Sequence, residues 1–198
     1  MPRRLRYQVA ASLDGFIAGP GGEYDWIVMD RSIDFRALYA EFDTAVMGRK
    51  TFEATHGTDV STPGLEFIVF SRTLAPATRP GVRIVNDDPL AFVAALKKST
   101  AGRDIWLFGG GALFQSLLDG GLVDSVEVAV MPVLLGAGIP LLPPGSTTRL
   151  KLVDCKVLPA SGIVVLSYAV PGKAGPPAQI GYVKPAQKKT PAQKKRKR

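Results

Sequence analysis

The stretch Ile105-Trp106-Leu107-Phe108-Gly109-Gly110-Gly111-Ala112-Leu113-Phe114 constrains this chain more than any other. Four apolar residues of strand type run into three glycines, and an apolar-periodic segment follows at once. Glycine lacks the Cβ that would hold a ligand away from the backbone, and a helix N-terminus carries partial positive charge. Strand, tight glycine turn and helix start, in that order, suit the close approach of a phosphate group. Leu113, Phe114, Leu117 and Leu118 share one face of the predicted helix, and Gly120-Gly121 stops it. Three glycines alone fit an ordinary strand-to-helix turn equally well, so support has to come from elsewhere in the chain.

That support lies at other strand ends. Residues 5–11 read as a first strand, followed by a turn-rich loop over 12–22 and an acidic, aromatic patch at Glu23-Tyr24-Asp25-Trp26-Ile27. Phe35, Leu38, Tyr39 and Phe42 are spaced for one helix face, with Asp34 or Ser32 as the N-cap. Residues 44–47 form a second strand that runs into Gly48-Arg49-Lys50-Thr51, another strand–glycine–helix junction. A third strand, 67–70, ends in Ser71-Arg72-Thr73, and a fourth covers 82–85. Asp87-Asp88-Pro89 starts a helix whose stripe is Leu90, Phe92, Val93 and Leu96. After the glycine loop come a strand at 126–131, a Gly/Pro-interrupted loop at 132–142, and two strands, 150–158 and 163–170, joined by Pro159-Ala160-Ser161-Gly162.

The alternation predicts an α/β fold: a mostly parallel central sheet with flanking helices, closed by a C-terminal antiparallel hairpin. Ligands of such sheets bind outside the carboxyl ends of the strands, where all three polar ends lie. The glycines suit a pyrophosphate. Arg49, Lys50 and Arg72, with the Thr51 and Ser71 hydroxyls, form a surplus of cations suited to an extra ribose phosphate. NADPH has that phosphate, whereas NADH normally asks for an acid on its ribose hydroxyls. The pattern is not a Rossmann fingerprint, since no G-x-G-x-x-G follows the first strand.

Charge separates body from tail. Of the 25 Lys and Arg, nine fall in residues 171–198, which hold no acid, leaving 16 against 17 acids in the rest. The reading is therefore a single folded domain over 1–170 and a disordered basic tail over 171–198, with Pro-Ala-Gln-Lys-Lys written twice. Residues 184–198 suit weak contact with nucleic acid or another anionic surface. The lone Cys155 fits a reducing cytoplasm, and with a single His56 no metal cluster is expected. No run reaches the length of a membrane span.

Five motifs carry a family resemblance: VAASLDGFIAG, VMGRKTFE, FSRTL, IWLFGGGALFQSLLDGGLVD and MPVLLGAGIPLL. In this order they resemble the dihydrofolate-reductase-like superfamily. They are most similar to the branch holding the reductase domain of the bacterial bifunctional riboflavin-biosynthesis deaminase–reductase. The resemblance covers about residues 5–170 and implies NADPH-dependent hydride transfer by a homodimer. It implies that Ala11 and Ile17 hold the nicotinamide carboxamide. Gly48, Arg49, Lys50 and Thr51 would hold the pyrophosphate and 2′-phosphate, and Ser71 and Arg72 the adenosine-phosphate end. Gly109, Gly110, Gly111, Ala112, Leu113 and Phe114 would line the nicotinamide and pyrophosphate, with a cis peptide in the glycine pair. Phe114 stands where dihydrofolate reductases place a tyrosine, and ATHGTDVSTPG stands where the riboflavin enzyme binds its phosphoribosyl group.

On the substrate side the candidates are Asp14, Trp26 and Phe108, with Asp14, Asp25 and Asp34 as groups to orient substrate or relay a proton. The function expected is reduction of a C=N or C=O in a small heterocyclic or sugar-linked substrate. It resembles 5-amino-6-(5-phosphoribosylamino)uracil reduction. The competing expectation is a catalytically inactive nucleotide- or nucleic-acid-binding protein that uses its tail.

Overall fold

The computed structural model describes residues 2–55, 64–145 and 147–173. In chain order its elements are β1 (Leu5–Ser12), β2 (Phe16–Ala18), α1 (Phe35–Tyr39), β3 (Phe42–Gly48), α2 (Arg49–Ala54), β4 (Glu66–Phe70) and β5 (Ala77–Arg79). There follow β6 (Val82–Val85), α3 (Pro89–Lys98), β7 (Asp104–Gly109), α4 (Gly111–Asp119), β8 (Ser125–Met131), β9 (Ile139–Pro140), β10 (Lys151–Leu158) and β11 (Ile163–Ala169). His56 and the tail from residue 174 onward lie outside the described residues.

Nine strands make one sheet in the order β10-β11-β8-β1-β7-β3-β4-β6-β5. The strands from β8 to β6 run parallel. The expected closing hairpin, β10–β11, adds antiparallel strands beside β8. This is the mostly parallel α/β sheet that the alternation predicts. Three short strands were not visible in the sequence. β5 pairs antiparallel with β6 at the far edge, and β2 pairs with β9 in a small second sheet. Both β2 and β9 lie in stretches read as loop, because two or three residues are too few to show a period. Phe42 is also corrected. It does not extend the α1 face but opens β3 fully buried, its register set by pairing with Asp104 of β7.

Alternation along each strand gives the sheet two different faces. One is sealed: Leu5, Tyr7, Ala11, Ile105 and Leu107 pack under Val93 of α3 and Phe114, Leu117 and Leu118 of α4. Asp88 caps α3 by accepting from the Ala91 amide at 2.9 Å, as Asp-Pro at a helix start predicts. The other face carries Phe42, Met47, Phe67, Val69 and Trp106, with Phe52 of α2. Among the described residues only the short helices α1 and α2 lie on that side, so the helical cover there is thin.

Ion pairs close the amino ends of the parallel strands. Arg3 meets Asp43 and Thr44, Arg4 meets Asp104, and Lys97 meets Asp124, which also accepts from the Leu5 amide at 2.7 Å. Deepest is Arg6, whose Nε and Nη2 donate to Glu127 at 2.8 and 2.7 Å, both side chains fully buried. Burial disfavours the charged guanidinium, but the hydrogen bonds and charges of Glu127 and then Glu41 outweigh it, so its pKa is raised. Removing one partner would strand a buried charge. Arg6→Met is expected to destabilise the fold by about 3–5 kcal/mol. Arg6→Met with Glu127→Leu is expected to recover most of that, both read by urea denaturation. Equal losses in the single and double variants would refute the pairing argument.

Candidate active site

Four adjacent parallel strands, β1, β7, β3 and β4, point their carboxyl ends the same way. Register places Met47 opposite Gly109 and Gly48 opposite Phe70, so the chain segments after these strands meet along one rim. A Cβ on Gly110 would stand 3.1 Å from Thr51 Oγ1, which shows how closely the two glycine junctions approach. The Gly109–Gly110 peptide is cis, as the resemblance implies.

Both helices that start here lack a capping side chain. Gly110 precedes α4 and Gly48 precedes α2, and neither has a side-chain oxygen to accept the first-turn amides. By contrast, α1 and α3 are capped by Asp34 and Asp88. The uncapped amides of α4 retain their capacity to bind an anion. Cations flank them. Arg49 pairs with Glu53 at 2.7 Å, but both side chains are more than a third exposed, so the pair is weakly held. Lys50 and Arg72 are exposed. Ser71 is buried, and its Oγ accepts from the Thr73 and Leu74 amides at 3.2 and 2.9 Å, fixing the turn that presents Arg72. Ala11 is buried at the end of β1, and Ile17 is half-buried in β2.

The glycine segment divides in two. Gly109, Gly110, Gly111 and the exposed Ala112 stay at the rim. Phe114 does not: its ring is buried and stacks on Tyr7 with centroids 3.9 Å apart, so it fastens α4 to the sheet instead of lining a ligand. Leu113 is partly buried against the same core.

The acids expected to relay protons have other duties. Asp14 accepts from Ser12 Oγ at 2.6 Å and from the Leu135 and Gly136 amides at 3.1 and 2.7 Å. The Ser12 bond, then these amides, hold its pKa down to about 2, so near neutrality it is a fixed carboxylate rather than a proton donor. It clasps the β1–β2 turn to residues 133–141, reinforced by Leu13 N to Val133 O and Leu141 N to Gly15 O, each 2.9 Å. Asp34 is an exposed N-cap, accepting from the Ala37 amide at 3.0 Å. Asp25 is exposed beside Trp26.

A cleft opens on the thinly covered face. Gln8, Ala10, Trp106, Phe108 and Ala129 sit on central strands yet are only half-buried, whereas Leu5, Tyr7, Ile105 and Leu107 on the opposite face are fully buried. Partial exposure in the middle of a nine-stranded sheet requires an opening above it. Tyr39 of α1 stacks on Trp106 at 5.5 Å, and Trp106 lies 4.8 Å from Phe108, forming an aromatic wall. Trp106 Nε1 donates to Gln8 O at 2.9 Å. Trp26, Ala10 and Ala129 each pack against the buried cluster of Met131, Leu158, Ile163 and Val165. Phe108 and Trp26 were expected on the substrate side. Gln8, Tyr39 and Trp106 were missed, although a lone polar residue inside an apolar central strand was a signal for Gln8.

Comparison with known proteins agrees with this architecture. The family model described as the RibD C-terminal domain matches residues 3–164. YyaP of Bacillus subtilis (strain 168), itself uncharacterised, is 34% identical over 84% of this chain and 94% of its own. A Shewanella sp. PV-4 structure, provisionally assigned to riboflavin biosynthesis, shares 26% identity with a TM-score of 0.72 over 86% of this chain and 99% of that one. Enterococcus faecalis dihydrofolate reductase, solved with NADP(H), has a TM-score of 0.65 at 18% identity, covering 85% of this chain and 96% of that one, which shows the shared fold.

The clasp has a pH signature. A lowered folded-state pKa means that Asp14 adds stability above its unfolded value, usually near 3.8, and that this share is lost as pH falls towards about 2. Asp14→Asn should speed hydrogen exchange at the Leu135 and Gly136 amides and flatten the stability curve in that acid window. Unchanged exchange at both amides would refute the clasp.

Proposed function

This chain belongs to the RibD C-terminal domain family, and from that premise we propose an NADPH-dependent reductase acting on a C=N or C=O of a small planar heterocyclic or sugar-linked substrate. The reaction would resemble reduction of 5-amino-6-(5-phosphoribosylamino)uracil. One observation carries the reading: the uncapped α4 N-terminus and the Gly109–Gly110 pair lie against Thr51 on a rim that also holds Arg49, Lys50 and Arg72. That donor set fits a coenzyme with a pyrophosphate and an additional ribose phosphate. When bound, NADPH supplies the hydride.

The chain's own residues do the rest. Gly109 to Ala112 offer amides to the pyrophosphate. Gly48 leaves open space where a side chain would stand, with no atom within 4 Å of where a Cβ would lie. Arg49, Lys50, Thr51, Ser71 and Arg72 receive the phosphate at the adenosine end, Arg49 exchanging its exposed partner Glu53 for it. Ala11 and Ile17 hold the carboxamide through their backbone. Phe108 and Trp106 wall the neighbouring cleft, where a flat ring can stack. With Asp14 fixed as a carboxylate and Asp34 engaged as a cap, water is the proton source the cleft offers.

Some features concern the whole protein. Among the described residues no helix is long and apolar enough to cross a membrane. A cytoplasmic enzyme is the reading that fits the lone unbridged cysteine. A homodimer through β10 fits the sheet's unequal edges. β5 is a three-residue strand between Pro76 and Pro80, whereas β10 is an eight-residue edge with Leu152, Val153 and Val157 exposed. Size-exclusion chromatography with light scattering should give twice the chain mass, and Val157→Lys should halve it. A monomer in the native protein would refute this surface.

The coenzyme reading is tested by thermal shift. Ligand at about 100 times its Kd stabilises a fold by about 2.7 kcal/mol. NADPH should raise Tm clearly more than NADH, and Arg49→Ala with Lys50→Ala should remove the difference. Equal or absent shifts would refute the clamp. An NADPH oxidation screen against flavin precursors, pterins and small carbonyls then decides activity. No turnover, joined to nucleic-acid binding that is lost on removal of residues 174–198, would favour the inactive tail-directed binder.

A further inference from the structure

Residues 184–198 hold eight Lys or Arg in fifteen positions and no acid. Pro-Ala-Gln-Lys-Lys fills 185–189 and again 191–195. The apolar side chains of this stretch are alanine and proline alone, and it has no aromatic. Residues 1–170 are near neutral, with 16 cations against 17 acids, so they offer this charge little to pair with. A dense run of one sign repels itself, and a polyanion relieves that repulsion.

The fold fixes where this segment starts. β11 is antiparallel to β8 and ends with Ala169 opposite Ser125, at the amino end of the parallel strands. The Val170 amide donates to Asp124 O at 3.0 Å, and Lys173 beyond it is exposed. Asp124 is held by Lys97, and at the same end Arg3 holds Asp43 and Arg4 holds Asp104, while Lys98 is exposed. The coenzyme rim is at the other end of the sheet. The eight residues of β1 separate the two ends by about 25 Å. Mobile ions screen charges beyond about 8 Å at physiological salt. Residues 174–198 are long enough to reach the rim, but Arg49, Lys50 and Arg72 give it the same sign of charge. The chain thus has two cationic regions that different anions can occupy together.

Composition decides which polyanion fits. Single-stranded nucleic acid is held by bases stacked on aromatic rings as well as by charge. A membrane surface is held by apolar side chains sunk beneath the head groups as well as by charge. Residues 184–198 supply neither kind of side chain. A duplex backbone asks for cations alone, and it presents one negative charge per about 1.7 Å of axis. We propose that residues 184–198 bind the phosphate backbone of a nucleic-acid duplex without reading its sequence, and that they leave the rim at the opposite end free for its coenzyme. The duplex contact stands apart from the reductase reading, since none of its residues belongs to the rim.

The test is fluorescence anisotropy of the full chain with a short labelled DNA duplex of mixed sequence. Eight cations allow a slope of log K against log salt no steeper than about −7, and a slope of about −5 to −7 is expected. Affinity should then fall about a thousandfold or more between about 50 and 200 mM salt. Lys188→Gln, Lys189→Gln, Lys194→Gln and Lys195→Gln together should flatten the slope by about 3 to 4. Arg49→Ala with Lys50→Ala should leave it unchanged, and so should saturating NADPH. No duplex binding at about 50 mM salt, or a slope unmoved by the four glutamines, would overturn the proposal. A poly(dT) strand or phosphatidylglycerol vesicles bound as tightly as the duplex would overturn the choice of partner, and loss of the duplex on adding NADPH would overturn the separate ends. A missing NADPH thermal shift with the expected salt slope would count against the coenzyme reading alone.

Discussion

The Arg6–Glu127 pair is the constraint around which the rest is arranged. It ties β1 to β8 at full burial, where an uncompensated charge would be untenable. Around it Arg3, Arg4 and Lys97 consume the acids at the amino ends of the parallel strands. The sheet therefore has one electrostatically closed end. Polar groups still open to a ligand are concentrated at the other end, where Lys50 and Arg72 are exposed and two helices begin without caps. This asymmetry, more than any single motif, sets where an anionic ligand can sit.

That open rim is assembled from segments far apart in sequence, and strand order does the assembling. β7 lies between β1 and β3, so the glycine loop falls between the β1 turn and the Gly48–Thr51 junction. Thr51 then packs against Gly110 closely enough that a side chain there would crowd its hydroxyl. Glycine at 110 is explained by this approach. Glycine at 109 is explained by its backbone, with φ at +145°.

The sequence showed the parts of this arrangement that local chemistry dictates. Asp88-Pro89 marks a helix start wherever it is placed, and Leu117 and Leu118 bury because their spacing leaves no other face for them. Three polar strand ends could be read, and their convergence followed from parallel order. What could not be read was decided at long range. Phe42 looked helical until β7 paired with it, and Phe114 looked like a ligand contact until Tyr7 lay beneath it. Asp14 looked like a catalytic acid because its partners, Leu135 and Gly136, are more than a hundred residues away. Gln8 showed only as a lone polar residue in an apolar strand, because its partner Glu127 lies across a strand pair.

The cleft exists because the helices above it are short. α1 has five residues and α2 has six, too few to be stable alone or to roof a nine-stranded sheet. What holds α1 in place is the Asp34 cap and the stack of Tyr39 on Trp106, which in turn bonds the backbone of Gln8. The cleft wall is thus anchored to β1 at Gln8. Any shift of α1 would reach Gln8 through Trp106, while the opposite face, sealed under α3 and α4, stays as it is.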